Sequence, residues 1–316
     1  MSLQLPNYND IVEAYNRIKN QVKHTPVLTS ESINSLLGCN LYFKCENFQK
    51  VGAFKFRGAS NALMSLADND CLYGVATHSS GNHAQALALA AKFRGIPAYI
   101  VMPKNSPKVK SDAVAGYGGK IIFCEPTLEA RERTLNKLVE DTGATFIHPY
   151  DNFNVICGQG TAALELLNEV NGLDIVMTPV GGGGLLSGTS TYVKSVSPKS
   201  KIIAAEPKNA DDAAKSFSEG RLIPSINPNT IADGLLTSLS EMTFQIIKEK
   251  TDSILTVQEI NIIKAMRIIW ERMKIIIEPS SAVTLAAIME NREIFKGQRV
   301  GVILSGGNVD LGNLPF

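Results

Sequence analysis

Four consecutive glycines, Gly181 to Gly184, follow the apolar run Val176-Met177-Thr178-Pro179-Val180 and precede a helix-compatible stretch from Leu185. With no side chains in the way, the backbone N–H groups of such a turn can converge on a phosphate. A helix N-terminus behind it adds partial positive charge. The run is not a G-x-G-x-x-G fingerprint, and no Lys-Ser/Thr follows it as in a Walker A loop. A second signal is Lys55, within Gly52-Ala53-Phe54-Lys55-Phe56-Arg57-Gly58-Ala59. A lysine among apolar side chains and near another cation, here Arg57, has its ammonium form disfavoured, and its amine becomes a usable nucleophile and base. A phosphate-type loop together with a candidate amine points to an aldehyde cofactor that carries a phosphate.

Two further segments carry unusual chemistry. Thr77-His78-Ser79-Ser80-Gly81-Asn82-His83-Ala84 ends a β-rich run and starts a helical one. One helix cap does not need two serines, an asparagine and two histidines, whereas hydroxyls and free N–H groups at a helix start can hold a carboxylate. Near the C-terminus, Ser305-Gly306-Gly307-Asn308 follows Val302-Ile303-Leu304, and a serine at a strand end can hydrogen-bond a heterocycle nitrogen. Each segment also has a plain structural reading: a loose turn, a solvated lysine, a helix N-cap, an ordinary turn. Their co-occurrence carries the chemical reading. The cysteines Cys39, Cys45, Cys71, Cys124 and Cys157 are odd in number, widely spaced and without C-x-x-C. They read as free, mostly buried thiols of a reducing compartment. The histidines, His24, His78, His83 and His148, form no H-E-x-x-H metal motif.

Such loops need a scaffold that brings them together. Short β-rich runs recur at residues 41–45, 73–77, 98–102, 120–123, 174–177, 201–205 and 300–304. Helix-like stretches lie between them, among them 84–93, 128–142, 160–170 and 260–272. This alternation predicts an α/β fold with mainly parallel, doubly covered sheets. In such sheets ligands bind beyond the carboxyl ends of strands, which here are the turns after Thr77, Val180, Glu206 and Leu304. A length of 316 residues suggests two lobes sharing a cleft. The balance of 44% hydrophobic and 19% charged residues is ordinary for a globular chain. With 31 Lys+Arg against 30 Asp+Glu, the net charge of +1 asks for no nucleic acid partner. No apolar run approaches the roughly 20 residues a membrane span needs. Met1 to Asn7 has no basic patch followed by an apolar stretch, so no secretory leader and a cytoplasmic location are expected.

Taken together and in this order, the segments resemble the fold-type II pyridoxal-phosphate enzymes of the serine/threonine dehydratase and serine racemase group. The similarity runs from His24-Thr25-Pro26-Val27-Leu28-Thr29-Ser30 to Gly306-Gly307-Asn308-Val309-Asp310-Leu311. Ala204-Ala205-Glu206-Pro207-Lys208-Asn209-Ala210-Asp211-Asp212, and Trp270-Glu271-Arg272-Met273-Lys274 with Glu278-Pro279, are similar to the racemase branch. The resemblance implies a tryptophan synthase β-like fold of two lobes, each a mainly parallel twisted sheet covered by helices. Residues 1–73 and 152–316 would form a large cofactor-binding lobe and residues 74–151 a small mobile one. Lys55 would bind pyridoxal phosphate and act as base on one face of the substrate Cα, and Ser80 would be the acid/base on the other. Asn82 would bond the cofactor's phenolic oxygen, Gly181, Gly182, Gly183, Gly184 and Leu185 its phosphate, and Ser305 its ring nitrogen, with Phe54 beside the ring. Ser79, Ser80, Asn82, His83, Arg131 and Thr237 would contact substrate. Glu206, the Ala210 carbonyl and Asp212, which on their own read as a solvated helix start, would hold Mg²⁺, Mn²⁺ or Ca²⁺. Ser30, Lys50 and Tyr117 sit where racemases bind ATP between subunits of a homodimer. Ala53 stands where many relatives have serine, and Glu31 and Ser32 differ from some ATP-responsive members.

The activity so implied is interconversion of L- and D-serine, with accompanying β-elimination of serine to pyruvate and ammonia. Lys55 takes the Cα proton. Return of a proton by Ser80 on the opposite face racemises serine, and loss of the β-hydroxyl eliminates water. A dedicated ammonia-lyase for L-threonine, L-serine or threo-3-hydroxyaspartate would share every motif. An inactive cofactor-binding protein is the reading from another class, and intact Lys55, Ser80, Asn82 and Ser305 argue against it.

Overall fold

A computed structural model describes residues 4–106 and 108–316; Met1–Leu3, part of the stretch read above for a leader, and Pro107 lie outside them. The strands, in chain order, are β1 Val27–Leu28, β2 Asn40–Cys45, β3 Val75–His78, β4 Ala98–Pro103, β5 Lys120–Cys124, β6 Thr145–Phe146, β7 Ile175–Pro179, β8 Lys201–Pro207, β9 Ser253–Val257 and β10 Arg299–Leu304. They form a six-stranded sheet in the order β1-β2-β10-β7-β8-β9 and a four-stranded sheet in the order β5-β4-β3-β6. Every pairing is parallel except β1 with β2. β7 is buried along its whole length and β10 in all but its first residue. Strands covered on both faces carry continuous apolar runs, which is why these were visible in the sequence. The two-residue β1 and β6 and the half-buried edge strand β9 carry no such run.

The helix read from Gly160 starts earlier, at Phe153, because the Asn152 side chain accepts from the Val155 amide and caps it. Its glycines weaken it as an isolated helix but allow close packing. Three helices, Lys55–Ser65, Phe153–Glu169 and Gly184–Val196, meet backbone to backbone. A Cβ on Gly158 would fall 2.6 Å from the Arg57 carbonyl oxygen, and one on Gly188 would fall 2.4 Å from that of Ile156.

A fully buried ion network ties this packing to β2. Arg57 donates to Glu46 at 2.7 and 2.8 Å and to Glu165 at 2.8 and 2.7 Å. Lys44 pairs with Glu165 at 2.7 Å. Two cations and two carboxylates balance, and removing one partner would strand a buried charge at a cost of roughly 3–5 kcal/mol. Residues two apart on a helix point to different faces. Arg57 therefore faces these carboxylates, and its expected role as the cation that lowers the Lys55 pKa is corrected. All five cysteines are free and buried. Among the described residues, no helix is long and apolar enough to cross a membrane.

Candidate active site

The end of β10 sets the start of the lysine helix. The Phe54 amide donates to the Ser305 carbonyl at 2.9 Å, and Ala53 bridges to Gly306. The Lys55 amine donates to the Pro149 carbonyl at 3.0 Å and stands 5.1 Å from the centroid of the Phe54 ring. Burial lowers the Lys55 pKa to about 8, against the opposing pull of Glu278. Such an amine is partly neutral at ordinary pH, as a nucleophile or base must be.

β7 delivers the glycine run to the start of the helix Gly184–Val196, which no side chain caps. Among the described residues, none of the amides of Gly181 to Leu185 donates a hydrogen bond. Tyr150 lies against the run, and a Cβ on Gly182 would fall 2.3 Å from its ring. Tyr150 follows Pro149, so two adjacent residues join the lysine to the glycines. Ser305 is buried, with its hydroxyl 3.1 Å from that of Ser281. Open amides at a helix N-terminus, an amine lowered towards neutrality and a buried hydroxyl fit the phosphate, aldehyde and heterocycle of pyridoxal phosphate.

β3 ends in the serine-rich loop. The helix Asn82–Arg94 has Gly81 at its N-cap and no side-chain capping bond, so the plain cap reading of Ser79, Ser80 and Asn82 is not realised. Ser79 Oγ accepts from the Gly81 amide at 3.4 Å. Among the described residues, no hydrogen bond engages Ser80 Oγ or joins it to Lys55. Asn82 Nδ2 donates to Glu278 at 2.9 and 3.1 Å, and Asn82 Oδ1 accepts from Asn308 Nδ2 at 2.9 Å. His83 is buried with Nε2 3.4 Å from the Ile147 carbonyl and Nδ1 without a partner. Burial, then Lys55, holds its pKa well below the usual value, so the ring is neutral. His148 Nδ1 accepts from the Tyr150 and Asp151 amides at 3.3 and 2.8 Å, and burial holds its pKa down to about 4. Arg131 Nε is buried without a partner among the described residues, and the Arg131 charge acts on His78 and Tyr150. Burial raises the Tyr150 pKa and a polar approach by Thr237 draws it back, which sets Thr237 near the Tyr150 hydroxyl.

At the end of β8, Glu206 accepts from the Ala213 and Ala214 amides at 3.0 and 2.9 Å and closes the start of the helix Asp212–Glu219. This is a helix start but not a solvated one, because Glu206 and Asp212 are both buried. Among the described residues, no donor meets either Asp212 carboxylate oxygen in hydrogen-bond geometry, although Ser225 is near enough to draw its pKa down against the effect of burial. Burial pushes Glu206 up to about 9 and Asp212 up to about 6. A cavity of about 140 Å³ is bordered by Ala210, Asp212 and Ser225. Buried oxygens without donors, here those of Asp212 and not those of Glu206, are the surroundings a hard divalent cation satisfies. Ser30 caps the helix Glu31–Leu37, the Lys50 ammonium lies 4.6 Å from the Phe93 ring centroid, and Tyr117 ends the helix Lys108–Gly116. No hydrogen bond among the described residues joins any two of these three.

Sequence reasoning gave no role to Glu278, Asn308 or Tyr150. Glu278 is buried, and burial followed by Asp233 pushes its carboxyl up to about 7 while Asn82 and the Asn308 amide draw it back. The only local signal was Glu278-Pro279, a proline at a helix start, which says nothing about burial.

The chain matches the family model described as "Pyridoxal-phosphate dependent enzyme" over residues 18–306, and it belongs to that family. It is 52% identical to the serine racemase of Dictyostelium discoideum over 311 residues, 96% of this chain and 95% of that protein. It is 49% identical to the beta-hydroxyaspartate dehydratase of Paracoccus denitrificans (strain Pd 1222) over 314 residues, 99% of this chain and 100% of that protein. The solved structure of maize serine racemase matches with a TM-score of 0.96 at 45% identity, covering 98% of this chain and 95% of that one.

Proposed function

We propose that this chain is a pyridoxal-phosphate-dependent serine racemase that also eliminates water from serine to give pyruvate and ammonia. The observation that carries the acid/base chemistry is the uncommitted Ser80 hydroxyl, in a loop whose helix is capped without it; a dedicated lyase would share that group, so the products formed decide between the two. When bound, the cofactor supplies an electron sink that acidifies the substrate Cα proton. Lys55 holds the cofactor and, once displaced, accepts that proton, roles suited to an amine with a pKa of about 8. Ser80 exchanges a proton on the opposite face. The glycine amides orient the phosphate, and Ser305 offers the ring nitrogen a hydroxyl, which does not transfer a full proton as an acid would. The holoenzyme incubated with L-serine should form D-serine, read by chiral chromatography, and pyruvate, read by coupled oxidation. Pyruvate without any D-serine would replace this reading with a lyase.

One observation favours a second reading, an ammonia-lyase acting on threo-3-hydroxyaspartate. The buried, unpartnered Nε of Arg131 suits a second substrate carboxylate, which serine lacks. Turnover of hydroxyaspartate against serine separates the two.

The same proposal includes Mg²⁺ or Mn²⁺ at Glu206, the Ala210 carbonyl and Asp212, supported by the orphaned Asp212 oxygens. It includes a cytoplasmic homodimer with ATP at Ser30, Lys50 and Tyr117, a site completed between subunits. It also includes a mobile lobe, residues 74–151, that closes on the rest of the chain. The separate four-stranded sheet β5-β4-β3-β6, whose strands all fall within residues 74–151, supports that division.

A further inference from the structure

The Asn82 amide has a donor end and an acceptor end, and the end that faces the cleft decides what it can bond. Its neighbours leave one orientation. The Val51 carbonyl can only accept, and it takes a hydrogen from Asn308 Nδ2 at 2.7 Å. The same nitrogen gives its other hydrogen to Asn82 Oδ1 at 2.9 Å. The nitrogen end of Asn82 therefore turns to Glu278, whose carboxylate oxygens lie at 2.9 and 3.1 Å. The Asn308 backbone amide also donates to Glu278, at 3.1 Å, so the carboxylate accepts at each of these contacts. The turn that aims the Val51 carbonyl is strained: Val51 holds φ 57° and ψ 12°, a left-handed backbone costly for a β-branched residue.

We infer that Glu278 and Asn308 are positioning residues that lock Asn82 with one Nδ2 hydrogen shared between the two Glu278 oxygens and the other offered to the cofactor's phenolic oxygen. The inference rests on the reading of Asn82 as a cofactor contact. It adds a polarity chain anchored on a backbone carbonyl. Asn82 hangs from β3 of the four-stranded sheet, whereas Asn308 follows β10 of the six-stranded sheet and Glu278 begins the helix Pro279–Glu290. The donor is set only while the two sides are together.

Four holoenzymes test this: wild type, Asn82→Ala, Glu278→Gln and Asn308→Ala. The readouts are the visible absorption band of the bound cofactor across pH and the cofactor dissociation constant. Glutamine at 278 has one acceptor oxygen for two donors and sets its own N–H against one of them. Glu278→Gln and Asn308→Ala should each move the band in the direction that Asn82→Ala does, and weaken cofactor binding by about tenfold. If Asn82→Ala moves the band while both other variants keep the wild-type band and affinity, the lock is wrong and the reading of Asn82 stands. If Asn82→Ala changes neither, that reading fails and the lock with it. If Glu278→Gln alone moves the band, Glu278 acts by its charge on Lys55, and the polarity chain is overturned.

Discussion

Lys55 and Pro149 are 94 residues apart in the chain and joined by a hydrogen bond of 3.0 Å from the amine to the carbonyl. Pro149 leads into Tyr150, whose ring lies against Gly182. The amine and the glycine run are thus held by one short segment that descends from β6.

The first expectation concerns Lys55. Its pKa of about 8 lies below the ordinary 10.5. Between those values the folded apoprotein binds fewer protons at this site than the unfolded chain, so the contribution of Lys55 to stability rises with pH across that window. Capture of the cofactor aldehyde needs the free amine, so the loading rate should climb through about pH 8 and level off above it. A half-point near that of an exposed lysine would remove the burial argument. Borohydride should then fix the cofactor on Lys55 in peptide mass mapping, and Lys55→Ala should not turn over.

Ser80→Ala separates the two products. Removing one acid/base group costs roughly 10²–10⁴ in rate. D-serine formation should fall by about that factor, while L-serine, whose proton the proposed mechanism assigns to Lys55, should still yield pyruvate. Elimination from D-serine should fall with racemisation. Wild-type racemisation in the variant would leave Ser80 as an ordinary loop residue.

Arg131→Gln discriminates substrates. If the guanidinium meets a second carboxylate, kcat/KM for threo-3-hydroxyaspartate should drop about tenfold or more relative to that for serine. An equal loss on both substrates would place Arg131 at the carboxylate they share.

Chelation should lower the unfolding temperature and activity, and Mg²⁺ or Mn²⁺ should restore both. A cation at a hundredfold excess over its Kd stabilises the folded state by about 2.7 kcal/mol. Asp212→Ala should abolish the response. An unchanged melting curve with and without EDTA would sink the metal reading of Glu206 and Asp212.

Residues 74–151 should move against the rest when a substrate analogue binds. Hydrogen exchange in the loop from Ser79 to Asn82 should slow in the complex. Identical exchange with and without the analogue would count against closure.

The sequence showed what depends on apolar runs and on rare residue clusters. β7 and β10 were readable because both faces are covered. The glycine run, Lys55 and the serine loop were readable because no ordinary turn needs them. Glu278 was not readable, because a carboxylate before a proline looks like any exposed helix start until the fold buries it. Arg57 was misread for the same reason: its neighbours in space, Glu46 and Glu165, are 11 and 108 residues away in sequence. β9 stayed hidden as a half-buried edge strand.

The helices that touch at Gly158 and Gly188 include the one that begins with Lys55 and the one that begins with the glycine run. Contact between backbones has no adjustable part, unlike contact between side chains, which can be exchanged for larger or smaller ones. The span from the Lys55 amine to the amides of the glycine run is therefore a fixed gauge, and a single methyl group at either Gly158 or Gly188 would reset it. The opposite wall of the cleft, built on side chains, can change without touching that gauge.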